Sequence, residues 1–331
     1  MRTGGWWMSL LAAGVLVAGC SSSQDAASGG SSTTAVPASP GASTTQAPAG
    51  LPMGDGKHTS APARGSVFSC QRFDAAGGGA FRDGPWIDAA AGTWDPAAKI
   101  AVRGSVDRHG TVTWSPSGGG AVVSGNGLPT VPTGVFPVAA DDPAYQYDRN
   151  PNTIAGYRLA VNLPAPAAAG SPTCVGGTIG VSVLGVPIFS AFDALGRDAA
   201  AHEVQDACGG HPERTGQYHY HSLSSCWKDA AGFEPGLFGY ALDGFGIYVE
   251  RDAAGNLPRS ADLDECHGRT GEVVWHGQKV SMYHYVATAD FPYLVGCYRG
   301  TPITSATGLR LGAPPAGGPG GRPPGMGPPP P

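Results

Sequence analysis

The sequence predicts a mainly β protein, an antiparallel β-sandwich-like domain with an internal pseudo-repeat, stabilised by disulfides. Three observations predict it. Short β-branched runs are bounded by Gly, Pro, Asn and Asp, an ordered set of features occurs twice, and six cysteines remain once the first is set aside.

The first element is a leader. Arg2 supplies a minimal positive charge, and Trp6 to Val17 is an apolar stretch too short to span a bilayer as a mature helix. It ends in Leu16-Val17-Ala18-Gly19-Cys20, small residues followed by a cysteine, which resembles the bacterial lipobox. In signals of that type residues 1–19 are removed and Cys20 is acylated. The expected location is extracytoplasmic, at the cell envelope, with the membrane reached through the lipid anchor alone. Residues 20–61 run through Ser, Ala, Thr, Gly and Pro, bury too little to offset chain entropy, and read as a tether. Residues 312–331 are nearly all Pro and Gly, an extended tail. The β domain is left with 62–311. A net charge of -5 with scattered Lys and Arg argues against nucleic acid as a partner, and no protein partner is indicated.

Within the domain, Ile100-Ala-Val102, Gly110-Thr-Val-Thr-Trp114, Ala121-Val-Val123 and Tyr157-Arg-Leu-Ala-Val161 have the length and residue types of strands. A turn or two of helix fits only Asp198 to Val204, and Asp148-Arg-Asn-Pro-Asn152 has the character of Asx turns.

The second half repeats. Ile179 to Phe189 aligns without a gap on Phe238 to Tyr248. Asp206-Ala-Cys208 is then matched by Asp264-Glu-Cys266, Tyr218-His-Tyr220 by Tyr283-His-Tyr285, and Cys226 by Cys297. The copies run over about 175–226 and 237–297. His211 precedes His219 by eight residues, as His276 precedes His284. Pseudo-symmetry suggests Cys208 with Cys226 and Cys266 with Cys297, leaving Cys70 for Cys174, one of 15 possible connectivities. No CxxC pair favours zinc-thiolate binding instead.

Histidine is unevenly placed, with His202, His211, His219, His221, His267, His276 and His284 all in the repeat region. Alternation on a strand puts His219 and His221 on one face and Tyr218 and Tyr220 on the other. Two imidazoles so spaced can reach one cation, and His211, in Gly209-Gly-His-Pro212, can be aimed back at them. Asp206 and His284 are candidates to complete the shell. Asp243, in an apolar run, is either a further ligand or a turn acid. The expected cofactor is a divalent transition metal, zinc or copper. Asp262, Asp264 and Glu265 read as a solvated turn. His202-Glu-Val-Gln-Asp206 begins like an HExxH zinc helix but ends in Asp, and reads as coincidence.

Gly216-Gln-Tyr-His-Tyr-His221 resembles the signature of the YHYH protein family. Cys208-Gly-Gly-His-Pro212, Gly239 to Tyr248, Leu263-Asp-Glu-Cys-His-Gly268 and Asp290-Phe-Pro-Tyr293 extend the similarity over about 145–300. The second copy reads Tyr283-His-Tyr-Val286, so the tetrapeptide's histidine pair is carried onto the first copy alone. The resemblance implies no particular reaction.

Three functions compete: a metal-binding envelope domain, a metal-dependent hydrolase or oxidase, and a structural or adhesive module without metal. No GxSxG elbow and no P-loop offers a fourth.

Overall fold

The computed structural model describes residues 50–73, 80–229 and 233–311. The leader, Cys20, most of the tether and the tail 312–331 lie outside these residues. No helix among the described residues is long and apolar enough to cross a membrane.

The tether ends earlier than its composition suggests. Leu51–Pro52 and His58–Thr59 pair as strands with Thr93–Trp94 and Val67–Phe68. Gly54 donates its N–H to Asp198, and Asp55 binds His202. Buried Met53 and these polar contacts anchor a segment that looks featureless in isolation.

An eight-stranded sheet forms the centre. Its strands are β1 (Thr178–Ser182), β2 (Pro187–Phe189), β3 (Gly210–Pro212), β4 (Tyr218–Tyr220), β5 (Leu237–Ala241), β6 (Gly246–Tyr248), β7 (Gly268–Trp275) and β8 (Gln278–Val286). They lie in the order β3-β4-β2-β1-β5-β6-β8-β7. Strands β1 and β5, at the middle of the sheet, are buried along their whole length.

The order is palindromic. Strand β1 pairs antiparallel with β5, Val181 facing Tyr240, while Gly180↔Ala241 and Ser182↔Gly239 exchange roles about that pair. Hairpin β1–β2 and hairpin β5–β6 share one register, down to an irregularity between Thr178 and Gly180 and between Leu237 and Gly239. The repeat is thus a pseudo-twofold.

The sheet is mixed, not purely antiparallel. Strands β2 and β4 run parallel, as do β6 and β8. Parallel neighbours need a crossover, and the segments 190–217 and 249–277 supply one in each copy.

A smaller antiparallel sheet is built from Val112–Ser117, Gly120–Gly125 and Leu159–Leu163. Ile100–Val102 forms no strand; Val102 makes a single bridge to Asp206. Three disulfides link Cys70–Cys174, Cys208–Cys226 and Cys266–Cys297, with Cα separations of 5.4, 5.1 and 4.5 Å. These are the pairs that pseudo-symmetry suggested.

Candidate metal centre

Strands β3 and β4 are short, so local polar contacts fix them. Asp206 accepts from the N–H groups of Cys208 and Gly134 at 2.9 and 2.8 Å, and Tyr218 donates its hydroxyl to the same carboxylate at 2.9 Å. Gly209 takes the left-handed conformation (φ 82°) that closes this turn. A Cβ on Gly210 would strike the Tyr218 ring, so only glycine lets the tyrosine reach the aspartate. The tyrosines lie buried on one face, and the histidines take the other.

His211 lies directly opposite His219 on the β3–β4 pair. His219 Nδ1 donates to the Gln217 carbonyl (3.1 Å), and His221 Nδ1 to the Ser190 carbonyl (2.6 Å). Since carbonyls only accept, both Nδ1 atoms carry the hydrogen and both Nε2 atoms present lone pairs. Those two Nε2 atoms are 3.0 Å apart. Among the described residues neither ring nitrogen of His211 meets a partner in hydrogen-bond geometry. The three ligand atoms all lie within 4.8 Å of one another. Phe189 stacks on His219 with ring centroids 3.9 Å apart and walls one side.

Glu203 joins them. Its Oε2 lies 3.2 Å from His221 Nε2 and 3.3 Å from His211 Nε2, and its side chain is only 10 % exposed. It follows α1 (Ala199–His202), a single turn capped by Asp198. Beyond that turn, Lys99 donates to the Glu203 carbonyl (2.6 Å) and to the Ala200 carbonyl, and Val204 N–H donates to Asp148. Asp148 and Asn150 form consecutive Asx turns, and Asn150 also donates to the Pro212 carbonyl beside β3. Buried polar contacts therefore hold the acid and the histidines in one frame.

The electrostatics follow from burial. Burial alone would raise the Glu203 carboxyl, but His211 and His221 hold it well below its ordinary value. Burial opposes charging His211, and Glu203 outweighs it, so its pKa rises. Burial, reinforced by His211 and His221, pushes His219 well down, leaving it a neutral donor of electrons. Burial lowers Lys99 to about 7 against the pull of Asp198, Glu203 and Asp148.

Other candidates lie elsewhere. Asp206 has its oxygens occupied by backbone N–H groups and Tyr218, so it shapes the turn instead of facing the histidines. Asp243 accepts from Tyr285 (2.6 Å) and Gly300 N–H (2.8 Å), and burial raises it to about 6. It is a buried turn acid in the second copy. His284 faces Glu250 at 2.7 Å, also in the second copy. His276, the apparent echo of His211, sits at the β7–β8 turn with φ 50°; the residue opposite His284 is Arg269. His202 is bound between Asp55 and Asp83 at 2.9 Å each. Asp264 accepts from Cys266, Gly268 and Tyr283, which is turn chemistry.

Glu203 is the residue that sequence reasoning set aside. The HExxH spacing indeed fails, because α1 ends at His202. The visible signal was an acid just beyond a capped helical turn and close in sequence to the histidines.

No curated protein and no solved structure matches the chain. Residues 160–257 match the family model described as YHYH protein, a narrower span than the motifs suggested, containing the whole first copy and the β5–β6 hairpin of the second. The tetrapeptide Tyr218-His-Tyr-His221 lies inside that match and at the heart of the cluster, so this part of the chain is similar to the YHYH protein family.

Proposed function

We propose that this domain binds one divalent transition metal, zinc or copper, through His211, His219, His221 and Glu203. The observation that carries the reading is the 3.0 Å approach of two imidazole Nε2 atoms whose Nδ1 hydrogens are both committed elsewhere. Two facing lone pairs repel unless a cation lies between them. A tetrahedral zinc bound at roughly 2.0–2.1 Å would space its donors about 3.3 Å apart. Three donor separations of 3.0, 3.2 and 3.3 Å support that arrangement. The carbonyls behind His219 and His221 are the outer partners that fix a ligand's tautomer and aim.

Four protein donors, all buried, describe a closed site of the structural or storage kind in preference to a catalytic one with an open position. Purified protein loaded with zinc, washed and assayed by elemental analysis should carry one ion per chain. Absence of metal at saturating zinc, with the fold intact, would overturn the reading in favour of a metal-free scaffold.

We further place the domain outside the cytoplasm on a lipid anchor at Cys20. Three disulfides support an oxidising compartment. Incorporation of labelled palmitate that Cys20→Ala abolishes is the expected result, and equal labelling of that variant would refute it.

A further inference from the structure

The pseudo-twofold carries the metal centre onto a second place in the molecule. His219 corresponds to His284, and the correspondence includes its support. His284 Nδ1 donates to the Met282 carbonyl at 3.1 Å, as His219 Nδ1 does to Gln217. Tyr283 binds Asp264 as Tyr218 binds Asp206, and a Cβ on Gly268 would strike Tyr283 as one on Gly210 would strike Tyr218. Arg269 stands opposite His284 where His211 stands opposite His219. Val286 stands where His221 stands.

A carboxylate completes both places by different routes. Glu203 arrives from beyond α1, whereas Glu250 arrives from the end of β6. Glu250 places one oxygen 2.7 Å from His284 Nε2 and the other against the Arg269 guanidinium. The second place therefore has the imidazole, the acid and a permanent cation. The first has three imidazoles and the acid, with Lys99 held behind them at the Glu203 carbonyl and, among the described residues, no guanidinium against the carboxylate.

We infer that Glu250, Arg269 and His284 form a second cation site, in which the Arg269 guanidinium occupies the role that a metal ion takes in the first. The inference rests on the metal reading of the first site. The chain then holds one metal ion, and two residues, Arg269 and Val286, exclude a second. The site retains its acid and its oriented imidazole, so restoring the missing ligands restores metal binding. The half-exposed Arg269 side chain makes this place more open to solvent than the first.

The test is zinc stoichiometry in wild type, in Arg269→His with Val286→His, and in that double variant carrying His284→Ala. One, two and one ions per chain are expected. One ion in both wild type and double variant, with native circular dichroism, overturns the inference and leaves the first site standing. No ion in wild type overturns the first reading instead. Since a second buried histidine can disturb folding, Arg269→Met supplies an independent measurement. Burial and the nearby guanidinium now hold the His284 pKa down. Removing the guanidinium leaves Glu250 facing His284 alone, with the Tyr248 ring beside it. The proton affinity of His284, followed by NMR, should rise; an unchanged value overturns the cation role of Arg269.

Discussion

The Tyr218 hydroxyl donates a hydrogen bond to the carboxylate of Asp206 at 2.9 Å, beneath a strand whose opposite face carries His219. The contact lies on the link between sequence and site: the tyrosine and aspartate shape the turn, and the turn aims His211. Tyr218→Phe leaves a buried carboxylate short of a donor and should cost about 1–3 kcal/mol in urea unfolding. Asp206→Asn should leave zinc stoichiometry at one per chain. Loss of the ion without loss of fold would return Asp206 to the list of ligands.

Glu203→Gln keeps size and polarity but removes the charge that faces His211 and His221. Zinc affinity, measured by chelator competition, is expected to fall at least tenfold, while His219→Ala with His221→Ala should abolish binding. Equal affinity in Glu203→Gln would show that the acid stands outside the coordination shell.

A pH effect comes from His267. It is fully buried, its Nε2 donates to Thr288 Oγ1 at 2.9 Å because that hydroxyl itself donates to the Asp290 carbonyl, and among the described residues Nδ1 has no partner. Burial lowers its pKa from the ordinary 6.5 to about 3. Between these values the unfolded chain binds the proton and the folded chain does not, so this contribution is present above pH 6.5 and is lost as pH falls toward 3. The loss is on the order of 3–5 kcal/mol. His267→Asn tolerates the positive φ of 74° and lacks the titrating ring. Its stability should vary less with pH across that interval; a slope equal to wild type would exclude His267 as the source.

The disulfides differ in the chain they close. Cys70–Cys174 spans 104 residues and Cys208–Cys226 spans 18. Chain-entropy arguments give about 5 and about 3 kcal/mol for removal as Ser pairs. Thermal unfolding should rank the two variants in that order. Mapping of non-reduced peptides should find no bridge between the copies.

The repeat and the cysteine pairing were legible because each copy preserves its residues in order, without a gap from Ile179 to Phe189. The pair His219 and His221 was legible because strand alternation is a local rule. Glu203 was not, since its approach depends on where α1 stops and on Lys99, about a hundred residues away, holding the carbonyls beyond it. Arg269 was hidden by His276, which matched the eight-residue count but fell on a hairpin that is longer in the second copy. The parallel pairing of β2 with β4 was equally unreadable, because a crossover leaves no period in the sequence. Residues 50–61 have the composition of a tether but are ordered by polar anchoring to Asp198 and His202, which composition does not carry.

The register centred on Val181 and Tyr240 has one more consequence. Exchange of roles across a shared dyad is the grammar of an isologous homodimer, in which identical chains offer each other the same edge. Here the same exchange lies within one chain, between strands β1 and β5. The two halves need not be alike, and one holds His211 and His221 where the other holds Arg269 and Val286.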